Sequence, residues 1–167
     1  DEMLAIALAH KPHAACIVPE RRAERTTEGG LDAAGQHNSL QPIVARLRDA
    51  GIRVSLFIAP DARQLEASAR LGVPVVELHT GPYAHATTPD EIAVELARLT
   101  RAAEAGASLG LEVHAGHGLT YDNVGPVAAL PQLAELNIGH FLIGEAVFVG
   151  LDTAIRRMRS LMDESRA

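Results

Sequence analysis

Short runs of β-branched and apolar residues alternate with longer helical patterns along the chain. The strand-like runs are AACIVPE (14–20), IRVSLFIAP (52–60), VPVVELHTG (73–81), LEVHAGHG (111–118) and a run within LNIGHFLIG (136–144). Stretches in which apolar residues recur at helical spacing separate them. Strands that alternate with helices through short connections form parallel sheets. The pattern therefore predicts an α/β fold with five parallel strands.

The helices between the strands carry start and stop signals. Thr88 and Glu91 form a capping box with Pro89 at the first helical position, and Asp61 with Gln64 is a weaker version. Three glycines follow helices as C-terminal stops, namely Gly51, Gly72 and Gly110. The predicted helices are a segment before Pro12, QPIVARLRDAG, DARQLEASARLG, TPDEIAVELARLTRAAEAGASLG, DNVGPVAALPQLAEL, and one or two within EAVFVGLDTAIRRMRSLMDESRA.

Two architectures accommodate parallel βα units, an open doubly wound sheet and an eight-stranded barrel. No GxGxxG follows the first strand, which argues against a dinucleotide-binding sheet. Glu77 and His79 share one strand face, and Glu112 and His114 share another. A strand covered by helices on both faces is apolar on both, whereas the interior of a barrel becomes a polar site at its top.

A complete barrel of this type has eight strands and about 250 residues. The sequence therefore predicts an incomplete (β/α)8 TIM barrel, with about five of the eight strands. Residues 1–167 are expected to form a single domain, which begins in the helix before the fourth strand. A complete five-stranded open sheet is the alternative.

Composition excludes several classes of function. Of the 167 residues 47% are hydrophobic, which is enough for a sizeable core. The net charge of −6, with both signs intermixed, gives no indication of nucleic acid or an anionic membrane as partner. No apolar run approaches the roughly 20 residues of a membrane span, no signal peptide is visible, and Cys16 is the only cysteine. These features predict a cytoplasmic protein.

Five segments of the chain carry recognisable motifs, namely KPHAACIVPERRAERTTEGGLD, IRVSLFI, VELHTGPYA, LEVHAGHGLTYDNV and ELNIGHFLIGEAVFVGLDTAI. In this order and spacing they resemble the pyridoxine 5′-phosphate synthase family. Within them TTEGG, ELHTG, AGHGL and NIGH are specific in combination, and the resemblance covers essentially all of the chain. It implies a (β/α)8 barrel that assembles as a homo-oligomer, typically an octamer.

The resemblance also implies a reaction. Members condense 1-deoxy-D-xylulose 5-phosphate with 3-amino-2-oxopropyl phosphate to give pyridoxine 5′-phosphate, phosphate and water, with no metal or organic cofactor. An imine forms, a phosphate leaves and a ring closes with loss of water. Each step moves protons, which favours a histidine that titrates near neutrality and carboxylates beside it.

Site residues follow from the same resemblance. His117 matches the proton donor, Glu77 the glutamate that stabilises the transition state, and Thr26 a contact to 1-deoxy-D-xylulose 5-phosphate. The expected contacts to 3-amino-2-oxopropyl phosphate are Gly118, Gly139 and His140. The proton-accepting histidine and glutamate of the family, and its basic residues for deoxyxylulose phosphate, lie on the first three strands, outside this chain.

Some alternatives remain open. If the last strand is ELNIG, phosphate is expected at Gly139 and His140, whereas a strand HFLIG would place it at Gly144. His79 is expected to support Glu77 on the same strand face, and His114 is expected to tune or line the pocket. Four further histidines stand at predicted helix ends or in loops and are expected at the surface, namely His10, His13, His37 and His85.

Two other functions compete with the synthase. The first is a metal-dependent hydrolase on the barrel, with Glu77, His79, His114 and His117 as ligands. The second is a non-catalytic module that binds phosphosugars or mediates oligomerisation.

Overall fold

The computed structural model describes residues 2–19 and 29–167. In chain order, the strands are β1 (Ala14–Ile17), β2 (Arg53–Ile58), β3 (Val75–His79), β4 (Glu112–Gly116) and β5 (Leu133–Asn137). The helices are α1 (Glu2–His10), α2 (His37–Asp49), α3 (Ala62–Leu71), α4 (Gly81–His85), α5 (Pro89–Ser108), α6 (Val124–Ala128), α7 (His140–Val149) and α8 (Leu151–Glu164).

The five strands form one parallel sheet in the order β1-β2-β3-β4-β5. Each strand therefore pairs with the next along the chain. In a doubly wound sheet the order reverses at a switch point, whereas in a (β/α)8 barrel it runs in sequence. The order confirms the predicted barrel architecture, of which five strands are present, and argues against the open doubly wound alternative.

The main core lies between the outer face of the sheet and the helices. Its strand residues alternate along β2, β3 and β4 and are almost completely buried: Val54, Leu56, Val76, Leu78 and Val113. Leu65 of α3 and Leu99 of α5 cover them and belong to the same apolar cluster. Burial of one such side chain contributes about 1.5–3 kcal/mol. This packing leaves the opposite strand face free to carry the polar residues.

The predicted helix starts are confirmed. The Thr88 side chain accepts a hydrogen bond from the Glu91 backbone, and the Glu91 carboxylate accepts one from Thr88 N at 3.0 Å. Asp61 caps α3 by accepting from the backbone of Arg63 and Gln64. The Gln64 side chain does not complete the box, because it donates to Asp32 Oδ1 at 2.9 Å. That amide instead ties the segment before α2 to α3.

The fifth strand is nearest to the first of the two predicted alternatives, ELNIG, but it begins two residues earlier. β5 ends at Asn137, so it also occupies the last part of the predicted helix DNVGPVAALPQLAEL, of which Val124–Ala128 alone is helical. The second alternative, HFLIG, belongs to α7. A continuous apolar run such as FLIG cannot be assigned to strand or helix by periodicity. A helix begins directly after Gly139, and Gly144 lies inside it.

α7 and α8 are two helices in series, separated by Gly150 at φ 84°. The apolar side chains of α7 are largely exposed, with Val147 at 77% and Phe148 at 86%. Within residues 2–19 and 29–167, no helix combines the length and the apolar character that a membrane crossing requires.

Candidate active site

A cavity of about 760 Å³ opens at the carboxyl ends of β3, β4 and β5. This edge of the strands carries the active site in (β/α)8 barrels. Five predicted site residues line the cavity, namely Glu77, His117, Gly118, Gly139 and His140. The sixth, Thr26, lies outside the described residues. Side chains from three separate motifs of the sequence thus meet at one place.

Glu77 lies on the inner face of β3 and is partly buried. Burial raises the pKa of Glu77, whereas the charge of His114 and a hydrogen bond from Asn137 lower it. Gly116 on the neighbouring strand leaves room for this carboxylate, since a Cβ there would lie 2.5 Å from Glu77 Oε1. Its position allows a negative charge to face a substrate in the cavity.

His117 follows β4 directly and has a left-handed backbone, with φ 86°. A residue other than glycine in this region costs of the order of 1–3 kcal/mol and occurs where surrounding structure enforces it. Gly118 continues the turn at φ 81°, and a Cβ there would lie 2.7 Å from Ala84 Cβ. The tight turn places Gly118 in the cavity wall.

Thr80 enforces this turn. Its buried hydroxyl lies 2.7 Å from the carbonyl oxygen of Gly116 and 2.6 Å from that of His117. The backbone N–H of Thr80 also donates to Gly116 O, at 2.8 Å. Thr80 belongs to ELHTG, and its contact with AGHGL could not be inferred from sequence, because the two motifs meet only in the tertiary structure.

Asn123 holds the next part of the loop. Its side chain accepts from Thr120 N at 2.7 Å and donates to Gly118 O at 3.4 Å. The Tyr83 hydroxyl donates to Asn123 O at 2.8 Å, which anchors the loop to α4. These two residues were also missed by sequence reasoning, although both stand inside the motifs that carry the resemblance.

His79 lies in the cavity wall and is only 7% exposed. Its ring makes an edge contact to Phe57, with centroids 5.1 Å apart, and its centroid lies 5.0 Å from that of His117. Burial, with a smaller effect of His117, lowers the pKa of His79 to about 4. His79 is therefore neutral at pH 7.

His85, predicted as a surface residue, is exposed and also borders the cavity. Nothing in its sequence context distinguished it from the other surface histidines. Its position at the end of α4 places a further ionisable group at the mouth of the site.

The geometry argues against the metal-hydrolase alternative. In the described part of the chain, no three His, Cys, Asp or Glu side chains are arranged to hold a metal ion. His114 is not part of the cavity wall, because its ring nitrogens face Glu112 at 2.7 Å and Glu135 at 3.5 Å. The four proposed ligands therefore do not converge.

The start of α7 forms another wall of the cavity. Gly139 is the residue that precedes the helix, and His140 is its first residue. A Cβ on Gly139 would meet nothing within 4 Å, so the backbone here faces open space. The first N–H groups of a helix have no partners within it and attract anions. This wall is suited to binding a phosphate.

Comparisons with known proteins identify relatives of this chain. The pattern of the family described as "Pyridoxal phosphate biosynthesis protein PdxJ" matches residues 1–164. The chain is 64% identical over 167 residues to the pyridoxine 5′-phosphate synthase of Zymomonas mobilis, covering 100% of the chain and 65% of the relative. It is 65% identical over 162 residues to that of Rhodospirillum rubrum, with 97% and 65% covered. The chain thus spans slightly less than two thirds of these relatives.

Solved structures support the fold alone. A xylose isomerase domain protein from Planctomyces limnophilus superimposes with a TM-score of 0.58 at 15% identity, covering 95% of the chain and 65% of that structure. An HpcH/Hpal aldolase/citrate lyase family protein from Burkholderia cenocepacia gives 0.57 at 14% identity, with 99% and 73% covered. Both similarities are consistent with a (β/α)8 barrel.

Proposed function

The chain belongs to the pyridoxal phosphate biosynthesis protein PdxJ family, and on that premise we propose that it forms the proton-donor side of a pyridoxine 5′-phosphate synthase active site. The substrates would be 3-amino-2-oxopropyl phosphate and 1-deoxy-D-xylulose 5-phosphate. The observation that carries the proposal is that Glu77, His117, Gly118, Gly139 and His140 line one cavity.

Each residue would have a distinct task. His117 would donate a proton to a leaving group, and Thr80 would fix its position through the backbone. Glu77 would balance the positive charge that develops as the amine and ketone form an iminium ion, because its carboxylate faces the cavity in a partly desolvated position. Gly118, Gly139 and His140 would hold the aminoketone phosphate at the α7 N-terminus.

We also propose that the reaction needs no metal or organic cofactor, as in the family. Imine formation, loss of phosphate and ring closure are acid–base steps that histidines and carboxylates catalyse. The cytoplasm is the proposed compartment, in keeping with phosphorylated substrates and a single cysteine. A homo-oligomer is the proposed assembly, supported by the exposed apolar residues of α7.

The test is to produce the chain alone and together with the segment that the relatives carry outside the matched region. Formation of pyridoxine 5′-phosphate is expected when the segment is present, since the family's proton acceptors lie there. In the complemented protein, His117→Asn should lower kcat by about 10²-fold or more, with phosphate binding retained. Glu77→Gln should be milder. Near-normal turnover of His117→Asn would contradict the proton-donor role.

The same experiment examines the binding-module alternative, which the anion-binding wall at α7 favours. Calorimetry with each phosphorylated substrate would measure binding without turnover. Tight binding with no product, even with the additional segment of the relatives supplied, would favour the module over the synthase.

A further inference from the structure

Three ionisable side chains form a row across β3, β4 and β5 on the inner face of the sheet. In the strand register, Glu77 of β3 pairs with His114 of β4, and His114 pairs with Glu135 of β5. Adjacent strands lie about 4.8 Å apart, so side chains on the same face of register partners are neighbours. A protonated His114 would thus lie between two carboxylates.

A β-bulge creates half of this row. Val113 pairs with Leu133, but the next pair is His114 with Glu135, so Ala134 is passed over. A bulge adds one residue on one strand and re-aims the side chains after it. Without it His114 would pair with Ala134, and Glu135 would face the other side of the sheet. The irregularity is therefore what brings the second carboxylate to His114.

His114 is held from both sides of its ring. Nε2 lies 2.7 Å from Glu112 Oε1, and Nδ1 lies 3.5 Å from Glu135 Oε1. Glu112 is itself fixed by Arg53, whose Nη2 lies 2.6 Å from Glu112 Oε2. An ionised carboxylate only accepts hydrogen bonds, and a neutral imidazole has a single N–H. Both contacts are favourable at once when the ring carries two protons and a positive charge.

Groups on all five strands affect the ionisation of Glu77. β1 contributes the Cys16 thiol, 4.0 Å from Glu77 Oε2, and β2 contributes the uncharged ring of Phe57 as its register partner. Its own strand carries His79, whose low pKa keeps it neutral. Burial raises the pKa of Glu77 and the charge of Glu135 adds to this, whereas His114 and Asn137 lower it. Of these described groups, His114 supplies the positive charge.

We propose that His114 is a positioning residue of the active site: its ring, placed between Glu112 and Glu135 and beside Glu77 in the strand register, favours the ionised form of Glu77. The inference rests on the proposed function, in which a carboxylate at Glu77 balances the iminium charge. Without the charge of His114, burial and Glu135 would raise the pKa of Glu77 further, so Glu77 would take up a proton at higher pH. His114 acts through Glu77, since it does not line the cavity.

The decisive experiment measures the titration of Glu77 directly, without enzyme activity. Side-chain ¹³C-labelled glutamate is followed by NMR in the 167-residue chain, and the Glu77 signal is assigned by its loss in Glu77→Gln. In His114→Asn the Glu77 midpoint should move upwards by about one pH unit. His10→Asn, which removes an exposed histidine from α1, is the matched control and should leave it unchanged.

His114→Gln is the second variant in case the shorter side chain does not fold. It is also neutral and keeps an N–H that can reach a carboxylate, so the same upward movement is expected. The proposal is overturned if the titration midpoint of Glu77 is unchanged in a variant that folds. A purely structural histidine would not alter that titration.

A second measurement connects the row to catalysis. In the complemented protein, the acid limb of the kcat/KM profile of His114→Asn should lie about one pH unit above that of the wild type. On the acid side kcat/KM should therefore be about tenfold lower, and the difference should disappear at higher pH. An equal loss at every pH would overturn the proposal. A wild-type protein that makes no product would contradict the proposed function instead, and the carboxyl titration would still decide the role of His114.

Discussion

The Thr80 hydroxyl lies 2.6 Å from the carbonyl oxygen of His117 and 2.7 Å from that of Gly116. One buried side chain on the loop after β3 thereby holds the backbone on both sides of the turn into His117. Because His117 has φ 86°, its backbone would relax to a more ordinary conformation if this support were lost. The position of the proposed proton donor thus depends on a residue of another motif.

Thr80→Val should reduce kcat more than it raises KM, because it displaces His117 without removing a phosphate contact. The lost hydrogen bond leaves buried carbonyls less satisfied and should cost about 1–3 kcal/mol of stability. Thr80→Ser keeps the hydroxyl and should retain activity. Thr100→Val is the control, since its hydroxyl bonds Leu96 O on α5, away from the cavity. Equal kinetics for Thr80→Val and Thr100→Val would contradict the support of His117 by Thr80.

Gly116→Ala should displace Glu77. The added Cβ would lie 2.5 Å from Glu77 Oε1 and 2.7 Å from Asn137 O, distances that real structures do not tolerate. Overpacking of this kind costs about 1–3 kcal/mol, and activity should fall with it. Gly144→Ala, in α7, meets nothing within 4 Å and should be neutral or stabilising by up to about 1 kcal/mol. Thermal unfolding and product formation of both variants test the prediction, and a Gly116→Ala protein as stable and active as Gly144→Ala would refute it.

The neutral state of His79 makes stability depend on pH. Its folded-state pKa is lowered from 6.5 to about 4, so between these values the unfolded chain binds a proton that the folded chain does not. The free energy of unfolding should therefore fall as pH decreases from about 6.5 to about 4, by up to about 3 kcal/mol from this group. His79→Phe keeps an aromatic ring against Phe57 and should show a smaller decrease. Urea unfolding at pH 7.5 and pH 4.5 measures it, with His10→Gln as control. An unchanged decrease in His79→Phe would exclude His79 as its source.

Much of the fold could be predicted from local patterns. The first four strands alternate with helices whose caps are chemical signals, such as the capping box of Thr88 and Glu91. The stops after α2, α3 and α5 are glycines with φ between 75° and 80°, at Gly51, Gly72 and Gly110. These features depend on residues close in sequence. The fifth strand could not be located in this way, because the chain is apolar on both sides of Gly139 and neither period prevails.

Part of the candidate site could likewise be predicted from sequence, and part could not. Glu77 and His117 were identified because the motifs ELHTG and AGHGL carry them. Their supports were not, since Thr80 and His117 are 37 residues apart in sequence and meet only through the pairing of β3 with β4. The role of His114 depends on a bulge that shifts β5 by one residue, and a strand whose position was mispredicted could not reveal it.

The exposed apolar side chains of α7 and α8 predict self-association of the 167-residue chain. Val147 and Phe148 are 77% and 86% exposed, and Ile143 and Leu151 nearby are 61% and 51% exposed. Soluble monomers rarely expose a contiguous apolar patch of more than a few hundred Å². Sedimentation should show association that increases with concentration, and Val147→Glu with Phe148→Glu should reduce it.

Val94→Glu is the matched control for this change. Val94 is 63% exposed on α5, so Val94→Glu adds the same charge as either single α7 substitution, with which it is compared, and should leave association unaltered. All variants should unfold at similar temperatures, because the replaced side chains are largely in water already and surface changes of this kind alter stability by about 0.5 kcal/mol or less. A wild-type chain that sediments as a monomer at every concentration would contradict the prediction, and so would equal loss of association in the α5 variant.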